Sequence, residues 1–329
     1  MNVSFASRLT SLPDGFVARP TTKDDVATCT QVLRDVDIAS CGETTSTELE
    51  VAADIFSPLA NGDRGTAVIC QGNEVVAFIN TFDEMKDNRG LFFDIFESPK
   101  LNHQDAVAIS IELINNVEKY TADLMREYGI AEAPIKTALY DSDLGFLEAL
   151  EKTSYNFHRT FWRMKKEHLE ELLSPAIHPD YELCEYEASE EVLQAIHKVN
   201  NLAFEDYYDF NPKTFESWKK WVYEPMNDPD LWRLIRHEGQ VVGFIMGNKR
   251  FEEEEYGYVA VIGVLREHRG KGLARTLLLD MFKRDQERGM QGTILHGDSS
   301  NPTGAMKLYE SVGMRTDRIY RGYRKEFSI

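Results

Sequence analysis

An internal repeat constrains the fold more than any other feature of the sequence, because the second half of the chain restates three segments of the first half in the same order. The corresponding segments are 16–19 and 181–184, 73–79 and 239–245, and 145–151 and 304–310. The first two pairs have the residue pattern of strands, and the third has that of a helix. An ordered repeat of this kind predicts two domains of similar fold.

The order of predicted elements is the same in each copy: a strand, one or two helices, a run of strands, a helix, a strand, a helix and a final strand. This order predicts an α/β fold class, of the α+β type with a mixed sheet, in each of two tandem domains. Pro175 and Pro179 predict the end of a short helix between the copies, as is typical of a linker. The predicted divisions are an N-terminal extension at 1–14, domains at 15–166 and 181–329, and a linker at 167–180.

The elements of the second copy are the most sharply patterned. Three runs rich in β-branched and aromatic residues predict strands, and an amphipathic segment follows the last of them. The predicted strands are 231–237, 241–249, 256–264 and 293–295, and the predicted helices are 274–282 and 304–311.

The net charge restricts the class of partner. The chain has 37 Lys and Arg residues against 55 Asp and Glu residues, and its formal net charge is -18. Because a polyanion would be repelled by this field, we expect no nucleic-acid partner. The same field permits a small cationic substrate, but an acidic surface is also an ordinary means of solubility.

Cysteine usage and hydropathy point to a soluble protein of a reducing compartment. Cys29, Cys41, Cys70 and Cys184 form no CxxC pair, which argues against a zinc site or a disulfide framework. No window is as apolar as a membrane span, and the N-terminal residues lack a signal-peptide pattern. We expect a cytoplasmic protein with no bound metal and no membrane partner.

A basic, glycine-rich turn joins the predicted strand 256–264 to the helix that follows. The turn is Arg269-Gly-Lys-Gly-Leu-Ala-Arg275. The first amides of a helix lack internal partners and lie at the positive end of its dipole, so they favour anionic oxygens, and glycine lets the backbone approach them. The turn matches neither a P-loop nor a dinucleotide-binding pattern, and a purely structural turn with solvated basic residues is the alternative interpretation.

With its flanking segments, this turn resembles the acyl-CoA loop of GNAT-type acetyltransferases, whose pattern is Arg/Gln-x-x-Gly-x-Gly/Ala. Arg269, Gly272 and Ala274 fill that pattern. The strand end at 262–264 and the segment 301–314 resemble the family's neighbouring segments in order and spacing. The proline that usually precedes the arginine is missing here. The resemblance covers the second copy and implies a GNAT-like fold for both tandem domains.

The resemblance implies acetyl-CoA as co-substrate, and it assigns roles to residues of the second copy. The pyrophosphate would be held by the loop amides of Arg269, Gly270, Lys271, Gly272, Leu273, Ala274 and Arg275. The pantetheine arm would pair with the backbone of Ile262, Gly263 and Val264, and Asn301 would hydrogen-bond the same arm. Tyr309 would be the general acid that protonates the departing thiolate. The alternative for Tyr309 is a tyrosine that simply packs in the core.

The transfer also needs a base, because only a neutral amine attacks a thioester. Glu205 is the favoured candidate, with Asp206 beside it and Glu253–Glu255 as further options. A solvated acidic face is the bland interpretation of Glu253–Glu255. His237 reads as a strand-end residue, and ordered water is an open alternative to any side-chain base.

The first copy lacks these groups. The repeat places 101–106 at the position of the glycine loop, Leu150 at that of Tyr309 and Ser142 at that of Asn301. We therefore expect one active site, in the second domain. The degenerate first domain would support the second and contribute part of the acceptor site.

The expected function is acetyl transfer from acetyl-CoA to the amine of a small molecule. A catalytically silent protein that senses or binds CoA is the alternative from a different class. Tandem members of the family with one active copy include mycothiol synthase, so an acceptor of that kind is a further alternative. The sequence does not indicate the acceptor, an acyl chain other than acetyl, or the oligomeric state.

Overall fold

The computed structural model describes residues 4–44, 46–168, 172–205, 207, 210, 212–224, 226–298 and 304–329. Its contacts divide the chain into two compact units, Met1–Thr160 with Ile319–Ile329, and Phe161–Arg318. The chain enters the second unit within strand β6 (Asn156–Glu167) and returns to the first within strand β12 (Arg315–Ser328). These limits differ from the predicted divisions at 166 and 181. The second unit begins within β6 and so includes the predicted linker 167–180, and β12 belongs to the first unit only from Ile319 onwards.

The first unit is a mixed sheet with helices. Its strands are β1 (Phe16–Arg19), β2 (Thr66–Gln71), β3 (Glu74–Asp83), β4 (Leu91–Glu97) and β5 (Glu132–Tyr140), and its helices are α1 (Val26–Cys41), α2 (Glu48–Ile55), α3 (His103–Tyr128) and α4 (Leu144–Lys152). The strand order is β1-β2-β3-β4-β5-β12, with β4 and β5 parallel and the other neighbours antiparallel. Helix α3 packs its apolar stripe, which includes Leu113 and Val117, into the core of this unit.

The second unit repeats this arrangement. Its further strands are β7 (Glu182–Glu185), β8 (Arg233–His237), β9 (Gln240–Asn248), β10 (Tyr256–Val264) and β11 (Gly292–Asp298), and its helices are α5 (Glu190–Ala203), α6 (Phe215–Val222), α7 (Leu273–Glu287) and α8 (Ala305–Ser311). The strand order is β7-β8-β9-β10-β11-β6, with β10 and β11 parallel and the others antiparallel. Leu277, Leu278 and Phe282 of α7 lie fully buried in its core.

The two units therefore share one strand order and one pattern of strand directions, which confirms the predicted mixed α/β fold class. The predicted strand 256–264 has the bounds of β10, whereas α7 extends to Glu287, beyond the predicted end at 282. The extension is packed against the rest of the unit as far as Asp285, which is the last buried residue of α7. Among the described helices, none is both long and apolar enough to cross a membrane.

Asp285 fastens α7 to the strands that carry the glycine loop. Its carboxylate is almost fully buried and accepts a 2.6 Å hydrogen bond from the Thr293 hydroxyl of β11. It lies against Gly257 of β10, where a side chain would collide with it. Burial raises the pKa of Asp285 to about 6, although the Thr293 hydroxyl and the nearby Arg288 act in the opposite direction.

This raised pKa predicts a pH-dependent stability difference between the wild type and Asp285→Asn. The folded carboxyl holds its proton to about pH 6, so its contribution to stability is complete in acid and is lost as the pH rises through that value. Relative to the variant, the free energy of unfolding of the wild type should fall by about 1 kcal/mol between pH 5 and pH 7.5. Urea denaturation across that range measures it, and parallel profiles for the two proteins would contradict the assignment.

Candidate active site

The parallel strands β10 and β11 part before either of them ends. Their pairing runs from Tyr256 with Gly292 to Val259 with Leu295, and the described part of the chain shows no pairs beyond that point. On its other edge β10 stays paired with β9 as far as Val264. The backbone of Ile262, Gly263 and Val264 therefore has an edge that β11 does not use, as the resemblance implies for residues that hold an extended arm.

The glycine loop begins where β10 ends. Gly270 and Gly272 have φ of 76° and 77°, in the left-handed region that favours glycine. No heavy atom lies within 4 Å of a Cβ built on either glycine, so the side of the loop that they face is open. Gly272 caps α7 without a side chain, and the first amides of the helix, from Leu273 onwards, have no partner within the helix.

Arg269 braces the base of this loop. Its Nε donates to the carbonyl of Val264 at 3.1 Å, and its Nη2 donates to the carbonyl of Ala203 at 2.8 Å. The side chain thus ties the end of β10 to the end of α5. The positive charge of Arg269 lies close to the loop, but its hydrogen bonds are made to the backbone of β10 and α5.

Lys271 is fixed in a similar way. The Lys271 Nζ donates a 2.6 Å hydrogen bond to the hydroxyl of Tyr181, which lies just before β7. The side chain is exposed, and Arg275 in the first turn of α7 is partly exposed. Both residues give the loop positive charge in an acidic chain, so the site suits an anion.

Tyr309 lies on α8 beside the parted strands. Its ring contacts the backbone of β11, since a Cβ built on Gly297 would lie 3.7 Å from the Tyr309 Cε2. Burial raises the pKa of the Tyr309 hydroxyl to about 12, and the nearby Tyr207 adds to this effect. The hydroxyl therefore keeps its proton at neutral pH, as a general acid must.

The predicted base candidates are dispersed. Glu205 is exposed after α5, with one oxygen 3.8 Å from the Arg266 guanidinium. Glu255 directly precedes β10, at the end of the strand opposite the loop, and it pairs with Gln291. His237 ends β8 and hydrogen-bonds the carbonyl of Asp180. Asp206 and Asn301 lie outside the described residues.

A polar group that the sequence analysis missed lies on the sheet next to the parting. His296 follows Leu295, the last described residue of β11 that pairs with β10, and its Nδ1 lies 3.1 Å from the Tyr258 hydroxyl of β10. Its neighbour on β6 is Arg163, which binds Asp317 through two nitrogens. Desolvation by the surrounding protein and the positive charges of Arg250, Arg163 and Arg318 lower the pKa of His296. The available signal was a histidine directly after the short predicted strand 293–295.

The corresponding region of the first unit has different chemistry. Asn102 caps α3 with its own side chain, which accepts from the Asp105 amide at 3.0 Å. Glu97, at the end of β4, is buried between Ser110 and the helix α4, and burial raises its pKa well above the ordinary value. Leu150 lies fully buried in the core. The N-cap of α3 is thus a side chain where that of α7 is a glycine.

Comparison with known proteins identifies the region that carries the loop. Residues 194–314, from α5 to the end of α8, match the Acetyltransferase (GNAT) family. This region is a GNAT acetyltransferase domain. The GNAT domain includes the parted strands, the glycine loop and Tyr309, and the match confirms the resemblance inferred from the sequence. Within the described residues, no three side chains of the metal-binding types come together at a single point.

Several curated proteins that match parts of this chain are named acetyltransferases. Mycothiol acetyltransferase of Thermobispora bispora is 32% identical over 170 residues, which are 50% of this chain and 57% of the relative. That of Streptomyces griseus is 31% identical over 39% of this chain and 41% of the relative. N-alpha-acetyltransferase MAK3 of Arabidopsis thaliana is 35% identical over 29% of this chain and 50% of the relative. The chain spans about half the length of the curated relatives it matches.

Solved structures extend the likeness to both units. A GCN5-related N-acetyltransferase from Sphaerobacter thermophilus has a TM-score of 0.82 at 23% identity and covers 97% of this chain and 98% of its own. A tandem GNAT protein from the clavulanic acid biosynthesis pathway has a TM-score of 0.62 at 14% identity and covers 94% of this chain and 98% of its own. The chain therefore has a tandem GNAT fold.

Proposed function

We propose that this chain is an acetyl-CoA-dependent N-acetyltransferase that acetylates a small-molecule amine at one site in its GNAT domain. The observation that carries the proposal is the open glycine loop at the end of β10, beside the point where the described pairing of β10 with β11 ends. The family match and the acetyltransferase relatives support the same activity.

The loop fits the phosphates of the cofactor. Gly270 and Gly272 leave an open cradle in front of the first amides of α7, and Lys271 and Arg275 supply positive charge. The backbone from Ile262 to Val264 would hold the pantetheine arm by pairing as a strand does. Asn301 is proposed to bind the same arm. Bound acetyl-CoA would supply an acetyl thioester at the parting of β10 and β11.

Two residues of the GNAT domain are proposed to carry out the two proton transfers of the reaction. Tyr309 is proposed to donate the proton of its hydroxyl to the sulfur as the bond to the acetyl carbon breaks, because its raised pKa keeps the group protonated. Glu205 remains the proposed base that takes the proton of the amine. Because it is exposed beside Arg266, it would act through water.

The first unit is proposed to bind no acetyl-CoA. The side-chain cap at Asn102, the buried Glu97 and Leu150 occupy the positions of the loop, the cleft and the acid.

The relatives named mycothiol acetyltransferase make the amine form of mycothiol the first acceptor to assay. Other small amines, including amino sugars, complete the panel.

Two measurements on the purified chain test this proposal. Calorimetric titration with acetyl-CoA should show one binding site, and incubation with the amine panel should give acetylated products by mass spectrometry. Absence of binding would overturn the proposal. Binding without release of CoA thiol for any amine would instead favour the sensing protein.

A further inference from the structure

A relay of three side chains lies against the glycine loop, and two of its members, Tyr181 and His268, have no part in the proposed chemistry. The Lys271 Nζ donates to the Tyr181 hydroxyl at 2.6 Å, and that hydroxyl lies 2.9 Å from His268 Nδ1. His268 directly precedes Arg269, and Lys271 lies between the two open glycines. Tyr181 is 4% exposed, so it is a fixed point against which both ends of the loop are held.

The hydrogens of this relay can be assigned from its donors. An ammonium group has only hydrogens to offer, so the Tyr181 oxygen accepts from Lys271. The single Tyr181 hydrogen needs an acceptor, and among the described residues His268 Nδ1 is the one within hydrogen-bonding distance. His268 must then carry its proton on Nε2 and be neutral.

We propose that Tyr181 is a positioning residue which holds the glycine loop in its cofactor-binding shape through Lys271, and that this hold is lost when His268 takes a second proton. An imidazolium cannot accept the Tyr181 hydrogen, and it would lie beside the Lys271 ammonium on the same oxygen. Acid should therefore release Lys271 from Tyr181 and weaken the binding of acetyl-CoA. The inference rests on the proposed use of that cofactor.

The surroundings of His268 favour its neutral state. Partial burial lowers its pKa, and the positive charge of Lys271 and the neighbouring His237 act in the same direction, while Glu267 opposes them. His237 stacks on Tyr181 with ring centroids 4.7 Å apart, and His178 lies edge-on at 5.5 Å. Asp180 contributes its carbonyl to His237 and its carboxylate to His178. These groups surround the relay without entering it.

The first test measures acetyl-CoA affinity at pH 7.5 by calorimetry for Tyr181→Phe, Lys271→Met and the double variant. Phenylalanine keeps the ring and its packing but removes both hydrogen bonds, so the dissociation constant should rise about tenfold. Because the two residues act as one device, the double variant should be no weaker than the weaker single variant. His178→Asn, which alters a neighbour of Tyr181 outside the relay, is the matched control and should bind as the wild type does.

If Lys271 instead binds the cofactor directly, Tyr181→Phe will leave the affinity unchanged or raise it while Lys271→Met lowers it, and the inference is overturned. Absence of binding by the wild type at pH 7.5 would overturn the proposed function and this inference together. Circular dichroism melts show whether the phenylalanine variant is folded, and His268→Asn, at a partly exposed position, gives an independent test.

The second test compares the wild type with His268→Asn at pH 7.5 and pH 5.0. The asparagine oxygen can accept the Tyr181 hydrogen at both values. The wild-type dissociation constant should rise about fivefold more than that of the variant as the pH falls. The cofactor's own phosphates titrate in the same way with both proteins, so the difference between the two pH profiles is due to His268. Equal pH profiles, or tighter wild-type binding in acid, would show that the relay does not hold the loop.

Discussion

Replacing Tyr309 by phenylalanine is expected to lower kcat about a hundredfold, because general acid catalysis typically contributes at least that factor. The dissociation constant of acetyl-CoA should stay within about twofold of the wild-type value, since a proton given up only in the transition state adds little to ground-state binding. The ring itself packs on β11 near Gly297, and phenylalanine keeps that contact. Steady-state rates of CoA release and a calorimetric titration measure the two quantities.

The pH profile adds a second expectation for Tyr309. Since burial raises the pKa of its hydroxyl to about 12, the acid stays protonated throughout the usual assay range. Ionisation of Tyr309 should therefore cause no loss of kcat between pH 7 and pH 10. Tyr223→Phe is the matched control, because Tyr223 is an exposed tyrosine of the same unit. Wild-type kcat in Tyr309→Phe would remove Tyr309 from the chemistry and leave the core-packing interpretation.

The fold class was predictable because its signals are local. The strand 256–264, the two glycines and the helix after them lie within some 30 residues, where strand period, turn chemistry and helix period decide the structure. The pairing of β12 with β5 was not predictable in this way. The residue pattern of 315–328 predicts a strand but does not indicate which strand it pairs with. The register that places Tyr320 opposite Tyr140 depends on how the side chains on both faces of the sheet pack.

In the candidate site, too, local features were predictable and long-range contacts were not. The sequence indicated the role of the two glycines, because a left-handed backbone just before a helix is a local requirement that glycine meets. It assigned the loop amides from Arg269 to Arg275 to the pyrophosphate, but it did not predict that the side chains of Arg269 and Lys271 hydrogen-bond Val264, Ala203 and Tyr181. A long flexible side chain binds whichever acceptor the fold brings near it, and two of these acceptors, Ala203 and Tyr181, are distant in sequence. His296 was missed for the same reason.

Placing leucine at Gly272 is expected to weaken acetyl-CoA binding by at least about a hundredfold. Two effects act together in this variant. The φ of 77° disfavours any L side chain, and such strain costs about 1–2 kcal/mol. In addition, the side chain would project into the open space in front of the α7 amides, which the pyrophosphate is proposed to occupy. Calorimetric titration of the purified variant measures the loss.

Gly289→Leu separates these two effects. Gly289 lies just beyond the other end of α7, has φ of 85°, and likewise has no heavy atom within 4 Å of an added Cβ. The two variants therefore carry similar backbone strain at opposite ends of one helix, and both should lose similar thermal stability. Only Gly272→Leu should lose the cofactor, because only that position faces the unpaired amides at the start of α7. Equal affinity in the two variants would mean that the pyrophosphate lies elsewhere, and the loop would then be the structural turn that its sequence alone also allowed.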